Sequence, residues 1–303
     1  MELCWYDGEY YTDGRIPITV NDPGLLFGAT VFSTLRVYGG DLNDPRTAWP
    51  AHRQRLETTI ARFGWHQPNW DYIDQGLGEL IPHYPILRVT IFPGGRELVT
   101  GRDLPQDLDA LQRQGITAWV APPDRHARLF AADKTGNYLG AWLALQTARS
   151  QGSGEAILID DAGRWLETST GNLWGYRDCT WYTPPIDGSI LPGIARQRIL
   201  EVLRSPAIAT QLTVNDQQYW TPDFYQSLEF VAYSNSVVEV VPIVTVRFGV
   251  SHEQTRTLTF SIPTDRSPLN SLRLAFDASP AADEVLESPL ESPLELPSDG
   301  QMN

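Results

Sequence analysis

Asp133-Lys134-Thr135-Gly136-Asn137-Tyr138 contains the only lysine of a 303-residue chain whose Lys+Arg total is 23. Surface positions accept either cation, so a chain that uses arginine everywhere else has a reason to keep one lysine. A lysine can lose its proton and attack a carbonyl carbon, which a guanidinium does not do. The residues around Lys134 extend that reading. Tyr138 to Arg149 reads as a helix with Gly152 as its stop signal, which places the lysine at the mouth of a helix. Downstream come Glu167-Thr168-Ser169-Thr170-Gly171-Asn172, then Tyr182-Thr183-Pro184-Pro185, then Leu191-Pro192-Gly193-Ile194 opening another helix. Together these offer an amine, an acid, and a glycine turn at a helix N-terminus of the kind that receives phosphate.

Further out, short apolar runs alternate with helical stretches. Leu3 to Tyr6, Ile86 to Phe92, Gly115 to Ala121, Ala156 to Ile159, Arg164 to Glu167, Phe230 to Tyr233 and Val240 to Val246 read as strands. His52 to Phe63, Tyr72 to Ile81 and Ile194 to Leu203 carry apolar residues at helical spacing. The pattern predicts a mixed α/β fold in two units. A smaller one spans 1–121, a connection through Pro122-Pro123-Asp124-Arg125-His126 spans 122–130, and a larger one spans 131–264. From 265 to 303 the chain is acidic and repeats Ser-Pro-Leu (Ser267-Pro268-Leu269, Ser288-Pro289-Leu290, Ser292-Pro293-Leu294), and it is expected to be a disordered tail.

A net charge of -14 disfavours nucleic acid and anionic membranes as partners. A small anionic substrate is compatible with it, because local arginines can outweigh the global field. Two cysteines, Cys4 and Cys179, form no framework and read as reduced thiols. No apolar run approaches the roughly 20 residues of a membrane span, and no secretory leader is visible, so a cytoplasmic location is expected. Neither GxGxxG nor GxxxxGK[ST] occurs, and the five histidines lack metal-ligand spacing, so no metal site is expected.

The order and spacing of these motifs resemble the class IV aminotransferases, the pyridoxal-phosphate (PLP) enzymes of fold type IV, over about residues 3 to 248. The resemblance implies pyridoxal 5'-phosphate as cofactor, carried on Lys134 as a Schiff base, with Glu167 set against the pyridine nitrogen. It implies that Gly193 and Ile194 hold the phosphate with their amides. Arg55, in His52-Arg53-Gln54-Arg55-Leu56, would grip the same phosphate, and Asn235 and Ser236 would complete the cup. Arg96, in Pro93-Gly94-Gly95-Arg96, and Thr34 are the implied substrate contacts. A homodimer is implied as well.

Two departures bear on the reaction. In Phe27-Gly28-Ala29-Thr30-Val31-Phe32-Ser33-Thr34 the family's usual glutamate is Ser33. In addition, Asn137 follows Lys134 by three positions, as in the lyase and D-amino-acid branches. These favour 4-amino-4-deoxychorismate lyase, which forms p-aminobenzoate and pyruvate for folate biosynthesis. An amino-acid aminotransferase of the branched-chain or D-amino-acid type is the alternative, and a non-catalytic binding relative is a third possibility that retention of Lys134 and Glu167 disfavours.

Overall fold

The computed structural model describes residues 2–249, 256–263 and 267–277. Strands β1 (Cys4–Tyr6), β2 (Glu9–Tyr11), β3 (Val31–Arg36), β4 (Ile86–Ile91) and β5 (Glu97–Arg102) form an antiparallel sheet in the order β2-β1-β5-β4-β3. Side chains alternate across a sheet with a period of two, so each strand divides its residues between the faces. Leu35, Leu87, Val89 and Val99 are fully buried on one face. There they meet helices α2 (Trp49–Phe63) and α3 (Trp70–Leu80) through Leu56, Ile60, Ile73 and Leu77. Glycine in a helix interior costs about 0.5–1 kcal/mol relative to alanine. Gly76 is nevertheless required in α3, because a Cβ there would lie 2.4 Å from the Trp5 ring. A five-residue helix α1 (Pro23–Phe27) precedes β3.

The opposite face of that sheet is set by register. Thr34 pairs with Arg88 and Arg88 with Thr100, while Arg36 pairs with Ile86 and Ile86 with Arg102. Thr34, Arg88 and Arg102 therefore share the face turned away from α2 and α3.

The second sheet runs β11-β10-β9-β12-β13-β6-β7-β8, with β14 (Arg256–Thr259) paired to β13. Its members are β6 (Ile116–Ala121), β7 (Glu155–Ile159), β8 (Trp165–Thr168), β9 (Asn172–Arg177), β10 (Thr180–Tyr182), β11 (Thr213–Asn215), β12 (Phe230–Asn235) and β13 (Glu239–Phe248). The helices that accompany them are α4 (Leu108–Gln114), α5 (Pro123–His126), α6 (Leu139–Ser150), α7 (Ile194–Arg204), α8 (Pro206–Ala209) and α9 (Pro222–Gln226). Strand β6, assigned from sequence to the first unit, pairs in parallel with β13 and β7 of the second sheet. The pattern of a strand shows that it will pair but not with which sheet, and here the crossover through α4 decides.

The expected disordered tail requires a second correction. α10 (Ser267–Arg273) and a 3-10 turn (Leu274–Phe276) pack on α7. Leu269 and Leu272 are fully buried, with Ala275 and Phe276 beside them. Trp181 Nε1 donates to Ser271 Oγ at 3.1 Å, and Arg198 donates to the Ala275 carbonyl at 2.6 Å. The composition of 265–303 as a whole is tail-like, but its first dozen residues carry four apolar side chains on one helical face. The two later Ser-Pro-Leu repeats lie outside the described residues.

Candidate active site

The loop holding Lys134 is tied down on both sides. Asp133 is buried and accepts from Arg62 Nη1 at 2.9 and 3.0 Å and from Thr59 Oγ1 at 3.2 Å, which binds the loop to α2. On the other side, Phe32 N donates to the Lys134 carbonyl at 2.9 Å and Gly136 N to the Thr30 carbonyl at 2.6 Å. Gly136 is needed for that approach, since a Cβ would meet Thr30 Oγ1 at 2.1 Å. These contacts aim the lysine into a cavity of about 580 Å³ between the two sheets. Its Nζ lies 4.8 Å from the Phe32 ring centre and 5.6 Å from that of Tyr138. Burial, with the charges of Arg55 and Arg128 adding to it, pushes the Lys134 amine well below the ordinary lysine value. A depressed amine frees its lone pair for attack at lower pH than an ordinary lysine does.

Glu167 projects from β8 into the same cavity and is itself buried. Burial raises its carboxyl, opposed by the Arg128 guanidinium and by the Leu191 N–H, which donates to Oε2 at 3.1 Å. Arg128 is bonded to Oε1. Tyr138 donates its hydroxyl to the Ser169 carbonyl, and burial pushes its phenol up.

Arg55 reaches the cavity from α2. One guanidinium nitrogen donates to Ser33 Oγ, while its Nε is buried with no partner. Burial lowers it to about 10, so it stays charged at neutral pH. Ser33 Oγ also lies 2.6 Å from His52 Nδ1. Ser33 therefore links the Arg55 guanidinium to the His52 ring through one hydroxyl. Burial and the charge of Arg55 hold His52 well below its usual value. Ser33 belongs to the α2 side of β3 and is not part of the cavity wall among the described residues. The position where the family's glutamate is missing therefore acts on Arg55 and not on a substrate.

The far wall is an anion cup. α7 begins at Ile194 after Gly193, with no side chain capping its first turn. Its leading N–H groups have no acceptor within the helix, and the helix dipole favours negative charge there. Gly193, Ile194 and Ala195 line the cavity, and a Cβ on Gly193 would sit 2.1 Å from Asn172 Oδ1. Asn235 Oδ1 accepts from Val237 N at 2.9 Å and Val238 N at 3.0 Å, folding the turn that presents Ser236 to the same space. An orphaned buried guanidinium nitrogen, uncapped helix amides and a hydroxyl facing one cavity fit a phosphate monoester, with Lys134 and Glu167 within the same walls.

Thr34 also lines this cavity, whereas Arg96 does not. Arg96 is held by an ion pair to buried Asp22 and donates to Tyr6 Oη at 2.6 Å, bracing α1. A Pro-Gly-Gly-Arg turn shows an arginine at a strand end but not the carboxylate that claims it. Besides Arg55, the arginines on the wall are Arg88 and Arg102 from the first sheet, Arg128 from the connection and Arg149 from the second unit. Sequence reading did not select them, although an arginine interrupting the apolar run Ile86 to Phe92 was a visible signal.

Known proteins resemble this chain over most of its length. The branched-chain-amino-acid aminotransferase of Escherichia coli K12 is 26% identical over 265 residues, covering 80% of this chain and 84% of that protein. A D-alanine aminotransferase of Staphylococcus aureus is 24% identical over 265 residues, covering 80% and 89%. Among solved structures, a hypothetical aminotransferase from Mycobacterium tuberculosis with α-ketoglutarate and PMP bound superposes with a TM-score of 0.73 at 20% identity, over 90% of this chain and 98% of that one. The branched-chain aminotransferase of Thermoproteus uzoniensis with norvaline also gives 0.73, at 18% identity over 93% and 97%. The model of the amino-transferase class IV family matches residues 30–246. That match takes in the lysine loop, Glu167 and the whole anion cup, and by it the chain belongs to the class IV aminotransferases, enzymes that work with pyridoxal 5'-phosphate.

Proposed function

We propose that this chain is an amino-acid aminotransferase, exchanging an amino group between a small anionic amino acid and a 2-oxo acid. The observation that carries the reading is a single buried amine, Lys134, held well below the ordinary lysine value by burial, in a cavity whose substrate-side wall is arginine. PLP, when bound, supplies a ring that withdraws electrons from the substrate carbon bearing nitrogen. In this reading Glu167 would face that ring's nitrogen, and Arg55 with the first turn of α7 and Ser236 would hold the phosphate, while Asn235 shapes the turn. Lys134, the one amine in the cavity among the described residues, would be the base placed to move a proton. Thr34 and Arg88 are the substrate contacts on the first sheet, and Arg88 replaces Arg96 in that role.

The test is a half-reaction. Holoenzyme mixed with an amino acid alone loses its visible absorbance, and an added 2-oxo acid restores it. No amino acid changing the spectrum would refute the reading. 4-Amino-4-deoxychorismate lyase is the second reading, favoured by the Lys134 to Asn137 spacing and by an arginine wall suited to a substrate with two carboxylates. Ser33 no longer supports it, because Ser33 lies behind Arg55. Multiple turnovers of 4-amino-4-deoxychorismate to p-aminobenzoate without any oxo acid would decide for it.

A homodimer is proposed as well. Phe27, Leu129, Phe130, Leu139 and Trp142 are more than half exposed next to the lysine loop, an apolar face that needs cover. Sedimentation or mass photometry measures it, and a monomer at working concentration would refute it. Among the described residues no helix is long and apolar enough to cross a membrane.

A further inference from the structure

Ser236 sits in the three-residue turn that closes the hairpin of β12 and β13, whose last cross-strand pair is Asn235 with Glu239. Hairpin turns of this length favour a residue in the left-handed region, and glycine is the usual choice there. Here the position is Glu239, with φ of 60°. A side chain costs energy in that conformation and persists where its surroundings hold it.

Contacts from outside the turn do so. Glu239 Oε1 accepts from Arg36 Nη1 and from Tyr38 Oη, each at 2.8 Å. Oε2 accepts from Gln112 Nε2 at 3.2 Å, and the same amide donates to the Val238 carbonyl at 3.0 Å. Burial, with the Glu239 charge adding to it, pushes the Tyr38 phenol up, so the hydroxyl keeps the proton it donates. Arg36 and Tyr38 belong to the first unit and Gln112 to the α4 crossover, whereas Glu239 opens β13. The near end of the turn is fixed within the second unit. Asn235 Nδ2 donates to Thr170 Oγ1 at 3.3 Å, and Thr170 donates to the buried Glu155 carboxylate. The far end is held from across the molecule.

Strand β3 makes this arrangement matter for the site. Phe32 lies against the Lys134 amine, Thr34 lines the cavity and Arg36 grips Glu239. With side chains alternating along a strand, all three share one face. The strand that touches the lysine therefore also sets where the turn carrying Ser236, Val237 and Val238 stands on the cavity wall.

We propose that Glu239 is a positioning residue for the cofactor phosphate: it pins the far end of the Ser236 turn to β3 and so fixes the cup relative to the lysine loop. The proposal rests on the reading of Ser236 as a phosphate contact and is independent of which amino compound reacts.

The experiment titrates the cofactor-stripped full-length chain with PLP and with pyridoxal, which carries the same aldehyde and no phosphate, and follows visible absorbance. Glu239→Ala is expected to weaken PLP binding by about tenfold, the order of one hydrogen bond to a charged group, and to leave pyridoxal affinity within about twofold. In a Ser236→Ala background, Glu239→Ala is expected to cost no more than about twofold further, because residues acting through one contact are not additive. Tyr38→Phe deletes a single donor and serves where Glu239→Ala gives no soluble protein; it is expected to weaken PLP binding by about threefold with pyridoxal unaffected. Equal losses for PLP and pyridoxal, no loss for either, or losses that multiply with Ser236→Ala overturn the proposal. Ser236→Ala that binds PLP as the parent does removes Ser236 from the cup and takes the proposal with it. A loss at Ser236 without one at Glu239 refutes the positioning role alone.

Discussion

Leu272 lies in a stretch whose composition argues for disorder, yet its side chain is fully buried against the helix that begins at the anion cup. Replacing it with alanine removes a packed isobutyl group and leaves a cavity lined in part by α7. Leucine-to-alanine changes at such sites cost about 2–5 kcal/mol. For a chain of this size 1 kcal/mol shifts the melting temperature by about 2–4 °C, so Leu272→Ala should melt at least about 4 °C below the parent. Leu274 supplies the control: it is two residues away, 40% exposed, and Leu274→Ala should stay within about 0.5 kcal/mol. The assay is circular dichroism melting at fixed protein and fixed saturating cofactor, because ligand binding and subunit association both move the midpoint. If Leu272→Ala melts within 1 °C of Leu274→Ala, α10 is not docked as described. A chain ending before Ser267 should then also be as stable as the full one, where the packing predicts a loss.

Four other outcomes follow from the site. Lys134→Ala should give a protein that borohydride cannot link to PLP, measured by intact mass; a stable adduct in that variant would place the attachment elsewhere. Glu167→Gln should retain cofactor and lose turnover by at least tenfold, which corresponds to about 1.4 kcal/mol of transition-state stabilisation, and an unchanged kcat would remove Glu167 from the chemistry. Arg55→Ala should weaken PLP binding by tenfold or more in an absorbance titration, since it deletes a charge-assisted contact. In cofactor-free protein the unfolded chain binds the Lys134 proton up to the ordinary lysine value while the folded site has already released it. Stability therefore rises with pH between the depressed folded value and about 10.4. Lys134→Met should show a stability advantage over the parent that is largest at low pH and shrinks as pH rises through that window; an advantage that grows with pH would contradict the depressed amine.

Much of the site was legible because it is built from local signals. A lone lysine, a glycine before a helix, and a helix carrying His52 and Arg55 on one face are all properties of short segments. Ser33 and Arg96 were read less well because their roles depend on partners far away in sequence. Ser33 is fixed by which face of β3 turns towards α2, and Arg96 by an aspartate 74 positions earlier. The arginine wall escaped for a similar reason: Arg88 and Arg102 become neighbours only once β4 and β5 pair in one register. Composition failed at 267–277, since an average over 39 residues hid four apolar side chains at helical spacing.

The pairing of β6 with β13 joins Ile116 to Ile243, a longer span than the Cys4 to Thr100 pairing that closes the first sheet. Contacts of that span form late, because chain entropy must be lost before they give anything back. The first sheet is complete once Arg102 has been made, whereas the turn at Ser236 and its strand β13 end near Phe248. At elongation rates of about 5–20 residues/s the finished first sheet waits on the order of ten seconds for its counterpart. Throughout that interval the row of Thr34, Arg88 and Arg102 faces solvent, and its mutual repulsion is screened by water and salt. A charged face stays hydrated on a half-built molecule, where an apolar wall in the same place would be an exposed adhesive patch. The arginines of that face thus also give the unfinished chain a hydrated surface before any site exists.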